Sequence, residues 1–292
     1  MPAQGRWIGF VCLGITAVGW ALNWPAIKFL LREWPPLFSR GVAGVAASLI
    51  LFAIACARRE PMRIPSGAAP RLLFATFTNV FAWMGFSTVA MKWVSVGEGA
   101  LIVYTMPIWA TLFAWPLLGA RPTLRDIAAL LLGIAGIVLL FGGHHVTLDH
   151  DKSLGIALAL GSAIFFALGN VLNKKPIALP AISLVAWQVG LGCFAMLILG
   201  LVFEKPVITA ISLTGFTALA YMTIVSMGIC YLTWFETLRR LPAPTASTGM
   251  LLVPVIGVTA ASLMLGEPLG VREWIAMALT LGGVTLALQK AN

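Results

Sequence analysis

Four amides stand inside long apolar stretches of this chain: Asn23, Asn79, Asn170 and Gln188. An unpaired amide is expensive in apolar surroundings, so each needs a partner. One partner is a neighbouring helix, through a bond averaging ~0.6 kcal/mol in such settings; the other is a ligand. Asn79 and Ser226 stand near the middle of their stretches. Around the amides are Trp20, Trp24, Trp83, Tyr104, Trp109, Trp187, Tyr231 and Trp234. Interfacial Trp and Tyr commonly anchor membrane helices, but Trp20, Trp83 and Trp187 lie several residues inside their stretches, where packing and cavity lining are both open readings. Amides beside indoles and phenols suit a molecule with polar ends and an apolar or flat body. The substrate-binding candidates are therefore Trp20, Asn23, Asn79, Trp83, Tyr104, Asn170, Trp187, Gln188, Ser226 and Tyr231.

The ionisable residues are arranged the opposite way. Glu98, Asp126, Glu236, Glu267 and Glu273 fall at the ends of apolar stretches, as do Lys28, Arg40, Lys92, Lys174 and Lys175. A central charge costs ~2.5–3.5 kcal/mol or more, and proton relays keep one regardless. This placement argues against antiport by a carboxylate that trades proton for substrate, and against a sugar-phosphate site built on buried Lys or Arg. It favours a neutral or zwitterionic substrate, with no cofactor. His144, His145 and His150 share one polar segment with Asp149 and Asp151; their spacing matches no metal motif, and a solvated linker is expected. An intramembrane hydrolase would need His, Asp or Glu facing one another inside the bundle, so the chain is expected not to be an enzyme. Cys12, Cys56, Cys193 and Cys230 are scattered without Cys-x-x-Cys spacing, which points to neither disulfides nor a metal site.

These residues must be positioned by helices in lipid. Sixty per cent of the 292 residues are hydrophobic and 10% are charged, and the mean hydropathy is +0.97. Runs near twenty residues, enough for a ~30 Å hydrocarbon core, recur from end to end. The first run is long and lacks a small-residue cleavage site, so it reads as a retained helix. The chain is expected to be an all-α polytopic membrane protein with ten spans: Trp7–Ile27, Leu37–Ala57, Arg71–Met91, Gly99–Leu118, Leu124–Phe141, Leu154–Asn173, Ile182–Phe203, Leu213–Glu236, Ala243–Leu265 and Val271–Leu288. Nothing alternates like a barrel strand. Connections are too short for a soluble domain, giving one membrane domain over residues 1–292.

The chain also repeats itself. At an offset of 147, Pro107 meets Pro254, Leu118-Gly119 meets Leu265-Gly266, and Arg125-Asp126 meets Arg272-Glu273. At 146, Ala21-Leu22 meets Ala167-Leu168 and Lys28 meets Lys174. Two five-span halves follow, residues 6–142 and 151–289. With both termini cytoplasmic, twelve of the nineteen Lys and Arg fall on the inner side, so the basic excess reads as positive-inside anchoring and not as nucleic-acid binding. An odd number of spans per half turns the second copy over. Inverted repeats are the architecture of alternating-access carriers, with substrate at the midplane between halves. The prolines free backbone groups at mid-helix; their symmetric placement makes Pro107 and Pro254 candidate gating points. Small residues in the fifth and tenth spans (Gly133, Gly136, Thr280, Gly283) suit internal packing or a dimer contact, with a monomer favoured.

Two five-span repeats, the hinge Leu265-Gly266-Glu267-Pro268-Leu269, and a proline midway along spans four and nine resemble the EamA-type drug/metabolite transporter superfamily, across essentially the whole chain. Within it the chain is similar to the YddG-type exporters of aromatic amino acids. The first hinge departs from the pattern, with Ala120 where the second copy has Glu267. The resemblance implies an inner-membrane carrier exporting small neutral or zwitterionic metabolites, including aromatic amino acids. Another metabolite, a lipophilic drug, or a receptor without transport are the alternatives. With the native cysteines replaced, single cysteines at Arg63 and His145 should react with a membrane-impermeant thiol reagent from opposite sides of the membrane. Labelling of both from one side would remove the inverted arrangement.

Overall fold

The computed structural model describes residues 3–119, 123–141, 150–173, 177–207 and 211–288. The linker positions His144, His145 and Asp149, the basic pair Lys174-Lys175 and the first hinge at Ala120 lie outside the described residues. Every regular element among the described residues is helical. In chain order they are α1 (Ala3–Leu30), α2 (Pro36–Ala57), α3 (Ala69–Ala90), α4 (Val96–Val103), α5 (Met106–Leu118), α6 (Leu124–Phe141), α7 (His150–Leu172), α8 (Ala181–Glu204), α9 (Leu213–Arg240), α10 (Ala243–Gly249), α11 (Leu252–Leu265) and α12 (Val271–Leu288). Among the described residues, eight stretches are long and apolar enough to cross a bilayer, one of them being α4 and α5 in succession, and α11 is a shorter apolar helix. Bulky residues such as Leu263, Phe203 and Leu124 are exposed, as a lipid-facing surface requires and an aqueous one does not tolerate.

Helix starts at one end of the bundle are satisfied by acids from other helices. Glu204, closing α8, accepts from the amides of Leu37 and Phe38 at 3.0 and 2.9 Å. Glu267, following α11, accepts from Val96 at 2.9 Å and Gly97 at 3.3 Å. Glu33, following α1, accepts from the Ser212 amide at 2.7 Å and from its hydroxyl. The Ser212 hydroxyl and then its amide hold the Glu33 carboxyl below the ordinary glutamate range, so the stability this cap adds is present above that range and is lost only as pH falls below it, through the lowered folded-state value. Each acid takes amides that the helix cannot pair itself and meets the positive end of its dipole. Lys152–Glu98 at 2.8 Å and Lys28 Nζ donating to the Val94 carbonyl at 2.7 Å tie further ends together here.

Two helix pairs pack through small residues. Along α2 and α8 the contact is reciprocal. A Cβ on Gly41 would stand 2.5 Å from the Leu197 amide nitrogen, and one on Gly200 would stand 2.5 Å from the Phe38 nitrogen. Along α6 and α12, a Cβ on Gly136 would meet Thr280 Oγ1 at 2.2 Å and one on Gly283 would meet the Ala129 carbonyl at 2.6 Å. Gly136, Thr280 and Gly283 therefore serve the contact between their own helices. In lipid such close backbone approach replaces the hydrophobic drive as the source of association. Gly41→Ala should lower the melting temperature of detergent-purified protein, an overpacking cost of ~1–3 kcal/mol. Gly14→Ala, where a Cβ meets nothing within 4 Å, should leave it unchanged or raise it; equal effects would deny the α2–α8 seam its role.

Candidate functional site

Four of the candidates, Asn79, Trp83, Tyr104 and Ser226, sit where the helices depart from regular α geometry. In α3 the stretch Phe77–Phe86 is π-helical, and it carries Asn79 and Trp83; in α9 the π-helical stretch Tyr221–Ile229 carries Ser226. Such wide turns concentrate at functional sites. The prolines act a few residues upstream of themselves. Pro107 has no N–H for the Val103 carbonyl, and the helix breaks at Tyr104-Thr105, between α4 and α5. Pro254 has none for the Met250 carbonyl, and the break falls at Met250-Leu251, between α10 and α11. Both interrupted stretches end on a left-handed glycine, Gly119 at φ 72° and Gly266 at φ 70°.

Several candidates converge at these irregular stretches. The Trp20 indole donates to the Ser226 carbonyl at 2.9 Å, and its ring meets Tyr231 at 5.6 Å and Trp234 at 5.9 Å. Tyr104, at the break itself, is buried with its ring 6.5 Å from Trp24. Trp83 packs on Phe166 at 4.4 Å. Trp20 and Trp83 border the same buried cluster that contains Trp24 and Tyr104, and Trp83 shares a second cluster with Tyr231. Asn23 is 9% exposed, and its Oδ1 has no hydrogen-bond partner among the described residues. Asn79 accepts from Thr78 Oγ1 at 3.3 Å and lies against Gly169. Asn170, one turn beyond Phe166 on the same helix face, is exposed.

Two candidates are not brought to this place. The Trp187 indole donates to the Met62 carbonyl at 2.9 Å, and its ring meets Phe52 edge-on at 5.1 Å. That is the end of the bundle opposite the carboxylate caps, where Ser183 Oγ also reaches Glu60 at 3.3 Å. Gln188, beside it, is half-buried.

The sequence pattern of the EamA-like transporter family matches this chain twice, at residues 7–142 and 153–289. The chain belongs to the EamA-like transporter family. Among similar proteins, "Uncharacterized transporter YvbV" of Bacillus subtilis (strain 168) is 28% identical over 96% of this chain and 91% of its own length. "Probable amino-acid metabolite efflux pump" of Escherichia coli (strain K12) is 25% identical over 92% and 91%. "Uncharacterized inner membrane transporter YedA" of the same strain is 26% identical over 91% and 86%. A solved crystal structure of a protein matches with a TM-score of 0.69 at 21% identity, covering 98% of this chain and 97% of the other; at that identity the likeness is one of fold.

One residue stands against the reading from sequence. Arg40, counted by sequence among the charges at helix ends, is 5% exposed. It lies only one turn into α2, but the helix is pressed onto α8 through Gly41 and Gly44, so nearness to the end does not bring it to water. The interhelix carboxylate caps were equally unforeseen, because they depend on which helices become neighbours. Between several of those helix ends lies a charged cavity of about 520 Å³, lined among others by Lys28, Lys92, Glu98, Lys152, Glu267 and Arg272. Trp20→Phe and Trp187→Phe each remove one indole donor at 2.9 Å. Both should lose ~0.5–1.5 kcal/mol of stability, read as similar drops in melting temperature, but only Trp20→Phe should also slow transport in proteoliposomes. Equal transport loss in both would place the aromatic site elsewhere.

Proposed function

We propose that the chain is a monomeric inner-membrane carrier that exports small neutral or zwitterionic metabolites, amino acids with aromatic side chains among them, by alternating access. Ten spans form two inverted five-helix halves, with α4–α5 and α10–α11 as the fourth and ninth and both termini cytoplasmic. The observation that carries the reading is the pairing of irregularities across the repeat. The two prolines correspond under the offset of 147 and their breaks agree to within one residue, while the π-helical stretches of α3 and α9 overlap, displaced by three to four residues. Ser162 Oγ donates to the Trp83 carbonyl at 2.9 Å, and Thr16 Oγ1 lies 3.5 Å from the Cys230 carbonyl, the same relation under offsets of 146 and 147. Helices interrupted at matching depth can exchange roles between two conformers, which a receptor does not require.

The substrate reading rests on the chemistry of the cluster. Trp20, Trp83, Tyr104 and Tyr231 offer flat apolar surface, and an aromatic contact adds ~0.5–1.5 kcal/mol beyond area burial. The unpaired Asn23 Oδ1 is an acceptor for an ammonium, and Asn79 with Asn170 supplies further amide groups. Pro107 and Pro254 are the gating points. The similarity to a protein named an amino-acid metabolite efflux pump supports the same class.

Proteoliposomes preloaded with labelled phenylalanine or threonine test this directly. Both should leave down their gradients, with weak pH dependence between about pH 6 and 8, where a site histidine or perturbed carboxylate would titrate. Trp83→Ala should slow phenylalanine more than threonine, while Asn79→Ala should slow both alike. No flux of either amino acid sinks the substrate class; equal slowing by Trp83→Ala assigns that indole to packing.

A further inference from the structure

The Arg40 guanidinium is accounted for neither by packing nor by the transport reading above. Its Nε and Nη1 are buried with no hydrogen-bond partner among the described residues. The ion pairs at described residues join Lys152 to Glu98, and Arg239 and Arg240 to Glu236, and leave Arg40 out. Its electrostatic neighbours are the Cys193 thiol and the Tyr231 phenol, groups ordinarily uncharged at neutral pH. An arginine near a helix end normally snorkels to the interface. Here the adjoining seam is closed: a Cβ on Gly44, one turn along, would stand 2.0 Å from Cys193 Sγ, and one on Gly41 would meet the Leu197 backbone. A buried cation left without an anion is strongly unfavourable, and an anionic ligand would answer it.

We propose that Arg40 is the carboxylate-binding residue of the substrate site, taking the acid group of the transported molecule beside the Tyr231 ring. The identity of the ligand rests on the proposed function; the site itself rests on the unpaired guanidinium. Guanidinium is the side chain whose planar donors match a carboxylate. The charge count also selects the ligand class. Arg40 carries a single positive charge, which a monocarboxylate balances. Tyr231 connects this charge to the aromatic cluster, because its ring faces Trp20 at 5.6 Å. A carboxylate on Arg40 therefore leaves the rest of a small aromatic acid close to the indole.

Three probes separate the groups of such a ligand: L-phenylalanine, 3-phenylpropanoate, which lacks the amine, and 2-phenylethylamine, which lacks the carboxylate. In detergent-purified wild type the two carboxylates should raise the melting temperature and the amine should not. In Arg40→Met the apparent affinity for both carboxylates should fall about tenfold or more, as loss of a hydrogen bond to a charged group implies. The unliganded melting temperature should hold or rise, since an unpaired charge has been replaced by an apolar chain. Should Arg40→Met fail to fold, Arg40→Lys keeps the charge without the planar donors and should lower the preference for phenylalanine over phenylethylamine. Binding of 3-phenylpropanoate with no response to phenylalanine would keep the Arg40 assignment and sink the amino-acid reading. The assignment is overturned if no carboxylate shifts the wild type, or if Arg40→Met melts earlier yet keeps its ligand response. It is also overturned if phosphatidylglycerol, and no soluble carboxylate, gives the Arg40-dependent shift, because the occupant is then a lipid headgroup.

Discussion

A helix that starts at a membrane surface leaves its first amides without intrahelical partners, and lipid offers none in their place. At one end of this bundle Glu204, Glu267 and Glu33 meet that requirement for α2, α4 and α9 respectively. Each acid comes from a different helix than the one it caps, so the same bonds that complete a helix also fix its neighbour. This constraint explains where the chain spends its few acids. A carboxylate inside the bundle would have to be neutralised or paired, whereas at a helix start it is stabilised by dipole and amides together.

The same constraint accounts for an asymmetry between the halves. Glu267 caps Val96 and Gly97 at the start of α4. Under the repeat, the corresponding acid position is Ala120 and the corresponding amides belong to Ala243 and Pro244. Pro244 has no N–H to donate and is comfortable in a first helical turn. A start built on proline needs one acceptor fewer, so alanine in place of glutamate costs the helix little. In sequence, the departure at Ala120 removes an acceptor where the proline at 244 removes a donor. The halves are free to differ in how firmly their interrupted spans are tied.

Much of this was legible in the sequence. Apolar runs near twenty residues gave most helices, and Pro107 and Pro254 marked the interrupted ones, because a missing donor acts locally and can be read from one residue. The breaks fall a turn earlier, at Tyr104-Thr105 and Met250-Leu251, since the bond that is lost reaches back four residues. What could not be read depends on neighbours. The π-helical stretches under Asn79, Trp83 and Ser226 have no composition of their own. Trp187 looked like Trp20 by depth, yet its indole closes the α8–loop contact at Met62, because depth in a span does not say which face a residue takes. For Arg40 a signal existed. A cation followed by Gly41 and Gly44 sits on a face destined for close packing, and close packing shuts off the route to water.

Burial of Arg40 also changes what the absence of acids means. Read from sequence, a site without ionisable groups accepts neutral and zwitterionic molecules alike. With the Arg40 guanidinium unpaired among the described residues, the proposed site carries a positive charge when empty, in a medium where charge is poorly screened. A cation entering there is repelled, and a neutral molecule leaves the charge unanswered. A zwitterion answers it with its carboxylate, while its ammonium needs only a neutral acceptor such as the free Asn23 Oδ1. Selectivity for a carboxylate then comes from the cost of leaving Arg40 alone more than from the strength of the new bond. That cost is also greatest in the empty carrier. An empty site that is unfavourable when sealed from water gives the protein a physical reason to change conformation with substrate bound and to stay open without it.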